Sequence, residues 1–223
     1  MKTLLFGATG MVGTGVLLEC LADDRVTAVT AIGRSPSGRI HPKLTDLSHQ
    51  DFLHYESLQP KLIGYDAYFF CLGVSSLGLD EAAYTRITYD YTLAAARACL
   101  AANPAGTFCY ISGAGTDSTE RGRSMWARVK GRTENHLLAL GFRQAYMLRP
   151  GFIQPVKGVR SKTGWYQAFY TVLTPVSPVV RSLFPGLATT TSAVGRAMIR
   201  LGLEGYSRPI ITTRDINLLA SEA

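Results

Sequence analysis

Apolar residues along this chain fall into short unbroken runs that alternate with stretches of helical spacing. Thr3 to Phe6 is such a run and turns directly into glycines. Val12, Val16, Leu17 and Leu21 then recur at the spacing of one helix face, and Asp23-Asp24 end that helix. Val26 to Ile32 reads as a second strand closed by Gly33-Arg34. Strand, turn, helix and strand thus fit within the size of one βαβ unit, about 30 residues. The alternation continues with a short strand near Ser48, a strand over Tyr65 to Leu72 ending in Gly73, and an Ala-rich helix over Tyr84 to Ala102 closed by Asn103-Pro104. A strand over Thr107 to Ile111 precedes a helix over Trp126 to Leu140, with Val129, Thr133, Leu137 and Leu140 on one side and Gly141 as its stop. Gln144 to Leu148 is a further strand, followed by Arg149-Pro150-Gly151. A helix over Thr191 to Leu203 and a strand over Pro209 to Thr213 complete the pattern. Strands alternating with helices predict an α/β fold with a doubly wound, mostly parallel sheet in a single domain over residues 1–223. Residues 152–190 break the alternation and are expected to form a small C-terminal cap on the substrate side.

The first turn, Gly7-Ala8-Thr9-Gly10-Met11-Val12-Gly13, carries three glycines at intervals of three between a strand and a helix. That context makes the motif informative. Glycine permits a tight turn and lets backbone approach a ligand, while the free N–H groups and positive dipole end of the helix favour a pyrophosphate. The turn therefore predicts a Rossmann-type dinucleotide site. An acidic residue after the second strand would accept hydrogen bonds from ribose hydroxyls, as NAD requires. Gly33-Arg34-Ser35 stands there instead. A guanidinium can stack on adenine and pair with a 2′-phosphate, so the expected cofactor is NADPH (NADP). Asp51, after the third strand, could accept from the adenine amine or cap a turn. Gly73 sits where a side chain would crowd the nicotinamide ribose, and it also suits an ordinary turn.

Composition narrows the classes. The chain has 223 residues and a formal charge of +7, which fits nucleic acid, a membrane surface or an anionic ligand. No Lys/Arg block is long enough to read as a nucleic-acid tail, so a small-molecule partner is expected. Residues 164–184 are apolar and aromatic but hold Pro175 and Pro178. Proline breaks helices, so a flap over the pocket is expected there, with peripheral membrane contact as the alternative. Cys20, Cys71, Cys99 and Cys109 form no CxxC pair and read as core residues of a reducing compartment. The run Leu4-Leu5-Phe6 does not read as a signal peptide, and the expected location is cytoplasmic. His41, His49, His54 and His136 lack metal-ligand spacing, and no metal site is expected.

The glycine turn, Gly33-Arg34, Asp51-Phe52, Cys71-Leu72-Gly73, Ser112 within Tyr-Ile-Ser-Gly-Ala-Gly, Lys130 and Arg149-Pro150-Gly151 together resemble the atypical short-chain dehydrogenase/reductases, and in particular the Tat-interacting-protein-like oxidoreductases and bacterial epimerase-like proteins. The resemblance covers nearly the whole chain. It implies an NADPH-dependent oxidoreductase or epimerase-like enzyme with Phe52, Leu72, Pro150 and Gly151 joining the cofactor site. It also implies a Ser–Tyr–Lys constellation in which Ser112 holds the substrate oxygen and Lys130 lowers the pKa of the tyrosine and binds the nicotinamide ribose. The tyrosine position, four residues before Lys130, holds Trp126. Indole N–H does not exchange a proton as an acid would. Three readings follow: another group supplies the proton, with water, Tyr110, Tyr166 and Tyr170 as candidates; the chemistry differs from alcohol oxidation; or the protein binds NADPH without turnover, as a regulator or scaffold. Arg121, Arg123, Arg128, Lys130 and Arg132 could gather an anionic ligand or form a solvated face.

Overall fold

The computed structural model describes residues 1–156 and 186–221. Seven strands pair in parallel: β1 (Lys2–Phe6), β2 (Ala28–Gly33), β3 (Leu44–Ser48), β4 (Ala67–Phe70), β5 (Thr107–Ile111), β6 (Gln144–Arg149) and β9 (Ile210–Thr212). Their order across the sheet is β3-β2-β1-β4-β5-β6-β9. The chain moves outward from β1 in one direction and then restarts at β4 on the other side. A doubly wound sheet opens its ligand crevice at that reversal, beyond the carboxyl ends of the strands.

Period-two alternation sends neighbouring side chains to opposite faces. Leu4, Phe6, Ile32, Tyr68, Phe70, Phe108, Tyr110 and Met147 meet one helical layer, made of the 3-10 helix Glu56–Leu62 and helices α3 (Tyr91–Ala102) and α4 (Met125–Ala139). Leu5, Val29, Ala31, Phe69, Cys109, Tyr146 and Leu148 meet the other, made of α1 (Met11–Ala22), α5 (Thr191–Glu204) and α6 (Thr213–Ser221). Each such fully buried large apolar side chain contributes about 1.5–3 kcal/mol. Covering both faces explains why the strands read as continuous apolar runs.

The Ala-rich helix is interrupted. Helix α2 (Glu81–Thr85), capped by the Asp80 side chain, passes through a π turn at Arg86–Asp90 into α3. Spacing alone predicts one uninterrupted helix, because the extra residue of a π turn shifts only the register. A second small sheet pairs β7 (Phe152–Gln154) with β8 (Ala188–Thr190). These strands form the two described ends of the expected cap; most of that cap, the 164–184 flap, Tyr166 and Tyr170 lie outside the described residues. Among the described residues no helix is long and apolar enough to cross a membrane.

Candidate functional site

The ends of β1, β2 and β4 lie level, because Phe6 pairs with Ile32 on one side and Phe70 on the other. Gly7, Gly33 and Cys71 therefore emerge side by side. Beyond them opens a cleft of about 390 Å³. Gly7, Thr9 and Gly10 form its floor, Arg34, Ser35 and Gln50 one end, and Phe52, Leu72, Gly73 and Tyr91 further walls.

Two glycines make this floor possible. Gly7 has φ +81°, and a Cβ there would come 2.7 Å from the backbone nitrogen of Leu72. A Cβ at Gly13 would sit 2.1 Å from the Gly7 carbonyl oxygen. Turn and helix therefore pack backbone to backbone. Gly10 N–H donates to the Gly7 carbonyl at 3.0 Å, and Thr14 Oγ1 donates to the Ala8 carbonyl at 2.8 Å. The N-terminus of α1 carries no side-chain cap and no acidic residue in its first turn, so among the described residues no side chain competes with an anion for its N–H groups. A Cβ at Gly73 would meet nothing within 4 Å. The open space there is the cleft itself.

At the β2 end Arg34 is exposed, and its guanidinium has no partner among the described residues. The backbone around it is ordered: Gln50 Nε2 donates to the Arg34 carbonyl at 2.9 Å. Asp46, which also reaches this loop, is engaged by the backbone N–H and hydroxyl of Ser37, both at 2.9 Å. Asp51 does not line the cleft. Its carboxylate accepts from Leu53 N–H at 3.0 Å and pairs with His54 Nδ1 at 2.8 Å, an interaction that holds the exposed carboxyl below its ordinary range. This is the turn role; the preceding residue, Gln50, faces the cleft instead. Cys71 departs from the core reading given to all four cysteines, since it lines the cleft, whereas Cys20, Cys99 and Cys109 are buried. Ile87 and Tyr91, delivered by the π turn and the start of α3, are wall residues that helical spacing did not single out. Tyr91 stacks at a tilt on Phe52, with centroids 5.9 Å apart.

Ala8 is buried, and Met11, Val12 and Gly13 belong to the first turn of α1 behind the floor. Pro150 and Gly151 lie outside the cleft walls: the Pro150 carbonyl accepts from Ala114 N–H at 2.8 Å, and Gly151 N–H donates to Thr213 Oγ1 at 2.9 Å. Together they tie the end of β6 to the Ser112 loop and to α6.

Ser112, at the end of β5, is buried. Thr116 Oγ1 donates its proton to the Gly113 carbonyl at 2.8 Å. A carbonyl only accepts, so the 3.0 Å contact between Ser112 Oγ and Thr116 Oγ1 places the proton on Ser112. Ser112 thus presents lone pairs to its surroundings. The indole of Trp126 lies against the Gly113–Gly115 backbone, where a Cβ on Gly115 would touch it at 3.4 Å. One helical turn on, Lys130 Nζ donates to the Ile111 carbonyl at 3.2 Å and to Tyr110 Oη at 3.4 Å. Desolvation pulls the Lys130 pKa down to about 8, against the opposing charge of Glu134. Tyr110 is fully buried, and burial pushes its phenol well above the ordinary value. It belongs to the core rather than to the open site, which removes it as a direct proton donor.

Glu134 is wholly buried and receives Arg149 in a two-pronged ion pair, with Nε at 3.0 and 3.1 Å from its two oxygens. Arg149 Nη2 also reaches Ser118 Oγ. The basic cluster does not act as one. Arg128 donates to Glu81 and to the carbonyls of Gly122 and Arg123, and Arg132 stacks on the Tyr89 ring. Arg121 and Arg123 remain as exposed charges on the Ser112 loop.

No family model matches the chain. Among curated proteins, fmp52-1 of Aspergillus oryzae is 30% identical over 220 residues, spanning 95% of this chain and 90% of that protein. The chain belongs to the fmp52 family. Fmp52 of Emericella nidulans is 28% identical over 214 residues, covering 91% of the chain and 88% of that protein. Rat HTATIP2 is 26% identical over 154 residues, covering 68% of this chain and 62% of that protein. The resemblance drawn from the motifs therefore holds, since a Tat-interacting protein and short-chain dehydrogenase/reductase folds are among the similar proteins. The expected cytoplasmic location is overturned, since the fmp52 relatives are named mitochondrial proteins. Solved structures agree on the fold. A short-chain dehydrogenase/reductase from Burkholderia thailandensis superposes with a TM-score of 0.71 at 16% identity, over 97% of this chain and 92% of its own. The Thermus thermophilus UDP-glucose 4-epimerase gives 0.67 at 16%, over 100% and 83%.

Proposed function

We propose that this chain binds a nicotinamide dinucleotide, NADPH in preference to NADH, and uses it in oxidoreductase or epimerase-like chemistry on a small molecule. The observation that carries the reading is the cleft at the sheet reversal, floored by Gly7, Thr9 and Gly10 at the uncapped N-terminus of α1 and ended by Arg34, whose guanidinium has no partner among the described residues, with no carboxylate lining that end. The Thermus epimerase with this fold was solved in complex with NAD, which supports the cofactor class. Gly7, Thr9 and Gly10 would hold the pyrophosphate, Arg34 and Ser35 the 2′-phosphate, and Phe52 with Tyr91 would wall the cleft. When bound, the cofactor supplies hydride transfer. The chain's own residues would receive a substrate hydroxyl at the lone pairs of Ser112 and exclude water.

Arg34→Ala is expected to weaken NADPH binding about 10- to 150-fold, the range of a charge-assisted hydrogen bond of about 1.5–3 kcal/mol. NADH binding should change little. Titration calorimetry with both cofactors checks this, and an equal loss for both would remove the 2′-phosphate assignment.

Trp126 favours a second reading, a non-catalytic NADPH-binding regulator. Its indole is taken up in holding the Ser112 loop and offers no exchangeable acid. NADPH binding without oxidation across a panel of aldehydes and ketones would select it.

A further inference from the structure

The reaction proposed above needs a proton at the substrate oxygen, and the usual phenol is replaced by Trp126. The inference here rests on that reading. The described residues around the β5 end narrow the choice of donor. Trp126 has no acidic proton. The Ser112 proton is directed to Thr116 Oγ1, whose own proton is fixed on the Gly113 carbonyl. Tyr110 is sealed in the core beneath.

Lys130 differs from all three. Its ammonium has three N–H donors. Ile111 O and Tyr110 Oη take two of them, and no described residue takes the third. Nζ thus stands at the carbonyl of the residue preceding Ser112, anchored on one side with one proton uncommitted. We propose that Lys130 is itself the proton donor of this site, a catalytic residue and not an electrostatic helper to a tyrosine.

The balance of the step is simple. The carbonyl carbon of the substrate gains hydride from the cofactor, and the carbonyl oxygen takes a proton from Nζ. The products are an alcohol, oxidised cofactor and a neutral amine, which water reprotonates.

The groups around Nζ suit this role. Tyr110 from β5 accepts from it and stays protonated because burial raises its phenol. Tyr84 from α2, also buried, bears on Tyr110. Glu134, one turn further along α4, favours the ammonium, but Arg149 from β6 pairs with it and limits that effect. Burial thus prevails, and Lys130 titrates at about 8. A donor with a pKa near the working pH combines a populated acid form with ready proton release.

The test has two arms on the full-length protein. In the first, lysines are reductively methylated with 13C-formaldehyde and followed by NMR against pH without cofactor, and Lys130→Arg identifies the resonance. It should titrate near pH 8, and titration at the ordinary lysine value of about 10.4 would overturn the proposal. In the second, NADPH oxidation is measured across a panel of aldehydes and ketones. The rate should fall as pH rises through about 8, because the acid form is lost. Lys130→Arg keeps the charge but does not release protons at these pH values, so at saturating NADPH it should lose about 100-fold or more in turnover. Retained turnover in Lys130→Arg would overturn the proposal, as would loss of turnover in a Tyr166→Phe/Tyr170→Phe variant that still binds NADPH. Wild-type binding without any turnover defeats the enzymatic reading itself and the donor role with it. Turnover with a normally titrating Lys130 defeats the donor role alone.

Discussion

Glu134→Ala is expected to lower the unfolding free energy by about 3–5 kcal/mol, more than any surface change in this chain. The carboxylate is wholly buried and takes Arg149 through both oxygens. Truncation leaves a largely buried guanidinium without its counter-charge, and the cost of that desolvated charge sets the magnitude. Arg149 also reaches Ser118 on the Ser112 loop, and Asn135 Nδ2 donates to the Ser118 carbonyl at 3.0 Å. The loss should therefore spread from α4 to the loop that carries Ser112. For a domain of this size the melting temperature should fall by roughly 6–20 °C. Replacing both partners with apolar residues, Glu134→Leu with Arg149→Met, should recover most of the loss, because no charge is then stranded. Thermal and urea unfolding of the single and double variants measures this. A single variant within about 1 kcal/mol of the parent would show that the pair contributes little.

Gly13→Ala is the second large effect, and it strikes binding as well as stability. The added Cβ would lie 2.1 Å from the Gly7 carbonyl oxygen. No side-chain rotation relieves a clash between a Cβ and backbone. Either α1 moves away from β1 or the turn opens. Overpacking of this kind costs about 1–3 kcal/mol. The same movement displaces the Gly7–Gly10 turn and the uncapped N-terminus of α1 from the cleft floor. Dinucleotide affinity should fall at least about 100-fold, the loss expected when two charge-assisted hydrogen bonds of about 1.5–3 kcal/mol each are misplaced. Fluorescence titration with NADPH, at a temperature where circular dichroism shows the variant folded, separates the two effects. Unchanged affinity in a folded Gly13→Ala protein would remove the turn from the binding site.

Much of this architecture is legible locally. The runs at Thr107 to Ile111 and Gln144 to Leu148 match β5 and β6 to within one residue. Strands buried on both faces must be continuously apolar, and their glycine-rich ends mark the turns. The π turn at Arg86–Asp90 escapes such a reading, because an inserted residue leaves composition and polarity unchanged. The strands β7 and β8 are three residues each, too short to show a period. Helix α6 also escapes the pattern; its first residue, Thr213, falls within the strand expected over Pro209 to Thr213.

The site divides along the same line. The turn Gly7 to Gly13 is local: strand, glycines and helix are contiguous, and their order alone fixes the crevice and the class of fold. Arg34 is visible because it follows a strand. The choice of Gln50 over Asp51 for the cleft wall depends on where β3 releases the chain, and a shift of one residue reverses which side chain faces inward. The Glu134–Arg149 pair joins residues from a helix and a strand, and the Ser112–Thr116–Gly113 relay depends on how one loop folds back. The burial of Tyr110 and the lowered pKa of Lys130 arise only when α4 closes over β5. Sequence determined the glycine turn and the alternation of elements, because both follow from short-range sterics and periodicity. Tertiary structure decided which charges are buried, which hydroxyl holds a proton and which lysine is desolvated, because desolvation and hydrogen bonding are set by neighbours distant in the chain.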